Sequence, residues 1–183
     1  MQFTDRYPRR FEADDGAAFT IRPLAHGDED ALWQFFRSVP EVDRFWLRED
    51  VGKREIVRRW VEDLDYERVL PIVALQDDRI VADATLHRRA YGAQRHLGEL
   101  RVVVAPTARS RGLGYAMLAE LVDVAATAGL QRLEVEVAAG AQGAALEACA
   151  RLGFEQAAVI PGHLRGPDGR PADLMILVLD LAE

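Results

Sequence analysis

Between Val102 and Met117 the chain reads VVVAPTARSRGLGYAM, and no other stretch limits its fold as much. Three consecutive valines mark a strand with little exposed surface, which needs helices on both faces of its sheet. Pro106 stops the strand, and an arginine-containing loop then passes two glycines into a helical segment. The first N–H groups of a helix have no partner within it and lie at the positive end of its dipole. The amides of Arg109, Ser110, Arg111, Gly112, Leu113 and Gly114 could therefore ligate an anion such as a pyrophosphate. Gly112 and Gly114 would let the backbone come close to the phosphates, and Arg109 and Arg111 would add charge. The same pattern also describes a solvated strand-to-helix turn that happens to use two glycines.

The elements around this segment read β-α-α-β-β-β-α-β-α-β-β. Phe19–Leu24 alternates as a short strand, and Leu32, Phe35, Phe36 and Val39 follow at helical spacing. A second amphipathic helix carries Val57, Trp60, Val61 and Leu64. Val69–Leu75 and Ile80–His87 form a hairpin across a tight turn at Asp77-Asp78, and His96–Ala105 adds a strand. After the glycine loop come a helix closed near Gly129, the strand Arg132–Val137 and a short helix ending at Gly153. A last hairpin pairs Phe154–Ile160 with Leu174–Leu181 across the turn-rich segment Gly162–Ala172. The expected fold is α/β (α+β): a mixed, mostly antiparallel twisted sheet of about seven strands with four helices on both faces.

At 183 residues the chain suits one domain, read as a loosely held arm over 1–17 and a single domain over 18–183. A mean hydropathy of -0.11 and the lack of any apolar run near the ~20 residues of a membrane span argue against a membrane partner. The polar first residues carry no apolar presequence core, so a cytoplasmic location is expected. Thirty acids against 23 bases give a net charge of -7, which makes nucleic acid a poor partner. Cys149 is the only cysteine, so an internal disulfide is excluded. His26, His87 and His163 lack metal-ligand spacing, and no metal is expected.

Two other phosphate loops compare poorly with the segment. No Gly-Lys-Ser/Thr follows the glycines, so a Walker-type loop fails. A dinucleotide fingerprint would have its third glycine where Met117 stands, and only one further β-α crossover follows. Val104-Ala105-Pro106-Thr107-Ala108-Arg109-Ser110-Arg111-Gly112-Leu113-Gly114 does resemble, without a gap, the signature of the GNAT superfamily of acyl-CoA-dependent N-acetyltransferases. That signature is V-x-P, two residues, then R/Q-x-x-G-x-G/A. Leu152-Gly153-Phe154 is similar to the family's L-G-F turn, and Asp168-Gly169 with Asp173 and Met175 suits its closing hairpin. The resemblance covers roughly residues 18–181.

It implies a sheet whose central strands splay at the glycine loop. It also implies acetyl-CoA as cosubstrate, with its pyrophosphate on Arg109–Gly114 and its pantetheine arm against Val102 and Val104. The expected activity is transfer of the acetyl group to a primary amine of a small molecule or peptide by direct attack; the alternative is a non-catalytic acyl-CoA sensor. Acetyl transfer to an amine needs a group that takes the ammonium proton. By family position that base is Glu99 or His96; His96 shares strand parity with Val102 and Val104, and Glu99 reaches their face only through a β-bulge. The leaving-group acid is usually a tyrosine, and its position holds Cys149; the asparagine often found seven residues earlier is replaced by Gln142. Cys149 then either protonates the thiolate or is plain core. Trp46, Arg48, Glu49, His163 and Arg165 fall where the family lines its acceptor pocket, and a homodimer through exposed strand edges is consistent with the family.

Overall fold

The computed structural model describes residues 3–140 and 143–181, and its strands form one sheet. They are β1 (Arg9–Glu12), β2 (Ala18–Pro23), β3 (Val69–Gln76), β4 (Arg79–Arg88), β5 (Leu97–Val104), β6 (Arg132–Ala138), β7 (Glu155–Arg165) and β8 (Pro171–Asp180). Their spatial order is β1-β2-β3-β4-β5-β6-β8-β7, and every neighbouring pair is antiparallel except β5 with β6. The helices are α1 (Glu29–Ser38), α2 (Glu41–Arg44), α3 (Arg54–Glu62), α4 (Leu113–Thr127) and α5 (Gly143–Arg151). Leu32, Phe35 and Phe36 of α1 are buried, as are Val57 and Val61 of α3, and α1 packs on both β4 and α3. On the opposite face α4 packs on β4, β5 and α5, burying Met117, Leu118 and Leu121. Each such side chain contributes ~1.5–3 kcal/mol on leaving water. Among the described residues no helix is long and apolar enough to cross a membrane.

The mixed sheet agrees with expectation, but the counts differ by one each. The eighth strand is β1, from the segment expected to be an arm, paired Arg9–Glu12 against Ala18–Ile21. Its sequence RRFE shows no apolar alternation, because its anchors lie elsewhere. Phe11 stacks on Phe19 at 6.0 Å, and Arg6 and Arg9 both pair with Glu120, a buried carboxylate of α4. The fifth helix is the single turn α2, too short for periodicity to reveal; Pro40 ends α1 and its carbonyl accepts from Asp43 N–H at 3.0 Å. In the last hairpin, pairing runs on through Leu164–Ala172 and Arg165–Pro171, past an irregularity after Ile160, so the connecting loop is shorter than the turn-rich composition suggests. The Asp77-Asp78 turn is as expected, with φ of 49° and 61°, the twist a two-residue hairpin needs.

The feature that places the site is an incomplete pairing. β5 and β6 are bonded only from Leu97–Glu99 to Arg132–Glu134. Beyond that, β4 follows β5 to Val104 while β8 follows β6 to Ala138, so the two central strands part inside the sheet. Where they still touch there is no room for a side chain: a Cβ on Gly98 would stand 2.8 Å from methyl groups of Leu133 and Leu86.

Candidate functional site

The glycine loop leads from the end of β5, where the two strands have parted, into α4. Gly112 caps α4 with φ 74° and ψ -1°, a left-handed conformation that a β-branched residue resists. A Cβ there would meet the ring edge of Phe11 at an ordinary 3.6 Å, so the backbone angle rather than lack of space reserves the position for glycine. Among the described residues, none of the amides of Ser110–Gly114 donates to a backbone carbonyl. Open amides at the start of a fifteen-residue helix fit the pyrophosphate expected of this loop. The arginines do otherwise than expected. Arg109 donates through Nε to the Val104 carbonyl at 2.9 Å and through Nη2 to Asp43 at 2.6 Å, and Arg111 pairs with Asp15 at 2.8 Å. Their charges are matched by the protein's own carboxylates; they pin the loop to β5, α2 and the N-terminal segment.

A cavity of about 650 Å³ lies on the α1–α3 side of the gap. Strands β4 and β5 make its wall through facing residues Asp83–Val103, Thr85–Arg101 and His87–Glu99. Regular alternation turns these odd-numbered residues to the cavity, and Val104 to α4, where Gly114 approaches it. Glu99 therefore reaches the cavity without the β-bulge that sequence parity seemed to require: β4 and β5 pair without a break from Gly98 to Val104. The parity argument assumed that Val102 and Val104 display side chains to the site, whereas a backbone edge needs no such orientation.

Charge is spent unevenly on this wall. Glu99 accepts from Arg101 Nε at 2.8 Å and pairs with Arg48 at 2.9 Å; Arg48 also reaches Glu136 at 2.7 Å. Burial pulls the Glu99 carboxyl upward, but the Arg101 hydrogen bond and the two guanidinium charges outweigh it and hold it below the usual carboxylate range. His87 touches Thr85 Oγ1 through Nε2 at 3.0 Å; burial and the Arg101 charge push its imidazole down to about 4, so it stays neutral. Asp83 is 8% exposed, and burial alone pushes its carboxyl up to about 7.

The other expected site residues divide. Trp46, Arg48, Glu49 and Arg165 line the cavity, as the family pattern implied, while His163 is not in the lining. His96 precedes β5, in an exposed turn, and its carbonyl accepts from Gln131 and Arg132 N–H; it does not join Glu99 at the wall. Its strand parity is moot because the strand begins at Leu97. Cys149 is fully buried in the core beneath α5, outside the cavity lining, and burial pushes its thiol up to about 11. Gln142 lies outside the described residues. Sequence reasoning missed Asp83, Thr85, His87 and Arg101. A signal existed for the first three: they are the polar members of an alternation whose other face is Ala82, Ala84 and Leu86, on a strand next to the wholly apolar VLPIVAL. Among the described residues no group of three or more His, Cys, Asp or Glu side chains could hold a metal ion.

Comparison with known proteins agrees with this architecture. No curated protein sequence matches the chain. Ribosomal-protein-alanine N-acetyltransferase from Brucella melitensis superposes with a TM-score of 0.75 at 26% identity, over 88% of this chain and 99% of that one. The yncA protein of Salmonella typhimurium, solved with its cofactor acetyl-CoA, has a TM-score of 0.77 at 23% identity, covering 90% and 95% of the two chains. An N-acetyltransferase from Staphylococcus aureus gives 0.73 at 18% identity, over 90% and 99%. For the last two the likeness is one of fold. The family model described as the acetyltransferase (GNAT) family matches residues 30–154, more than half of the sequence, and the chain belongs to that family.

Proposed function

We propose that the protein transfers the acetyl group of acetyl-CoA to a primary amine by direct attack, with no covalent enzyme intermediate. The observation that carries this reading is the parting of β5 and β6 between two unlike surroundings, the open amides of the glycine loop and a cavity walled by carboxylates. The amides of Ser110–Gly114 would hold the pyrophosphate, the Arg109 amide being bonded to the Pro106 carbonyl, and the edge of β5 at Val102–Val104, which has no strand partner, would hold the pantetheine arm. Acetyl-CoA supplies an activated thioester; the chain's part is to align it with an amine entering from the cavity and to exclude water. The acceptor is a small-molecule or peptide amine, and the mixed lining of Trp46, Arg48, Glu49 and Arg165 suits a polar one.

A second reading, an acyl-CoA-binding sensor without turnover, is favoured by one feature. The position of the usual acid holds a thiol that is sealed in the core. Free-thiol release from acetyl-CoA, screened against amines, amino acids and peptides with acetylated product identified by mass spectrometry, separates the two. Turnover above the no-acceptor background supports the enzyme; a thermal shift with acetyl-CoA but no turnover with any acceptor supports the sensor.

A further inference from the structure

The carboxylates around the cavity are mostly committed. Glu99 holds Arg101 and Arg48, Glu136 holds Arg48, and Glu49 holds Arg59 and the Trp60 indole N–H. Asp63 and Asp65 stand exposed at the rim, as do Arg68 and Arg165. Asp83 differs from all of them. It is more than nine-tenths buried, faces the cavity, and has no hydrogen-bond or ion-pair partner among the described residues. Its neighbours across the strands are Val73 and Val103, both apolar, and the neutral His87 lies two strand repeats along the same face. An unpartnered buried carboxyl is expensive to keep in a wall, and a cationic ligand offsets that cost.

Its position matches a proton acceptor. Asp83 stands directly opposite Val103, on the part of β5 whose other edge is open, and facing residues of an antiparallel pair have Cβ atoms ~4.5–5.5 Å apart. We propose that Asp83, rather than Glu99, takes the proton from the acceptor ammonium, and that the acceptors are therefore amines that enter the cavity protonated and pair with this carboxylate. The inference rests on the amine-acetylation reading above. The ammonium gives one proton to Asp83, and its nitrogen, now with a free electron pair, bonds to the thioester carbonyl carbon. The carbon–sulfur bond breaks with its electron pair on sulfur. The nitrogen loses a second proton, through water, to the thiolate; Asp83 returns the first to solvent, so one amide, one thiol and one proton leave.

Burial tunes this group for the task, since a base that loses its proton near neutral pH combines availability with basicity. Glu99, held low by its arginines, is the weaker base on the same wall. The test is Asp83→Asn, which keeps the shape, beside Asp83→Glu, each followed by the pH profile of kcat/KM, by stabilisation with acetyl-CoA and by melting at several pH values. At neutral pH Asp83→Asn is expected to lose ~10²–10⁴-fold in kcat/KM, with acetyl-CoA stabilisation retained. The acidic limb expected near pH 7 in the wild type should vanish in Asp83→Asn and move in Asp83→Glu. A separate readout needs no turnover. The unfolded aspartate titrates at ~3.9 and the folded one at about 7, so its penalty on stability grows between these values as pH rises. The melting temperature of Asp83→Asn relative to wild type should rise across that window.

An Asp83→Asn enzyme with full activity, or a wild-type limb that neither variant moves, overturns the assignment while leaving acetyl transfer standing. A wild-type protein that binds acetyl-CoA and acetylates no amine overturns both.

Discussion

At Gly98 and Glu99 β5 is held from both sides; from Leu100 onward it is held from one. At the closed end the carboxylate of the wall is committed to the protein's own cations. Gly98 lets the strands touch, and Glu99 is shared between Arg101 and Arg48. At the open end the opposite holds: the edge facing β6 has no strand partner, the amides of Ser110–Gly114 donate to no backbone carbonyl, and Asp83 across the strand has no hydrogen-bond or ion-pair partner among the described residues. Satisfied groups hold a fold together but have little left to give a substrate. The unmet bonds of one short stretch of β5 are where an acyl donor and an amine can be received, and the closed end serves as the clamp that keeps the gap in register.

Three variants probe that contrast, in falling order of effect. The largest is Asp83→Asn, at the open end, with the loss given above. Next is Gly112→Val. A β-branched residue forced to φ 74° costs ~1–3 kcal/mol of strain or rebuilds the loop, so acetyl-CoA should bind at least about tenfold more weakly. Titration calorimetry reads this directly, and an unchanged affinity would mean that the loop amides do not hold the donor. Smallest is Glu99→Gln, at the closed end. Its carboxylate is already bound by two guanidinium groups, so kcat/KM should fall less than about tenfold, with the acidic limb in place. A loss as large as that of Asp83→Asn would make the two ends equivalent and erase the distinction.

How much of this was legible in the sequence follows from how local each feature is. The glycine loop is a run of adjacent residues whose backbone angles and helix cap are set within the run, so Arg109–Gly114 could be located from the string alone. The wall is not local. That Asp83 faces Val103 and Thr85 faces Arg101 depends on the register of β4 on β5, and that Arg48 reaches Glu99 depends on how a loop after α2 crosses the sheet. Arg109 and Arg111 looked like free cations because Asp43 and Asp15, their partners, are distant in the chain. His96 failed as a wall residue because the strand starts one position after it. β1 escaped notice since its stabilisation comes from Glu120 and Phe19 rather than from its own pattern.

The central claim, that donor and acceptor meet at the open end of β5, is tested most directly by a crystal structure with acetyl-CoA or a non-hydrolysable thioether analogue. The account predicts pyrophosphate oxygens on the amides of Ser110–Gly114, the pantetheine arm along Val102–Val104, and the acyl carbon opening into the cavity on the Asp83 side of the sheet. A donor bound away from the glycine loop, or an acyl group turned to the α4 face and shut off from Asp83, would contradict it.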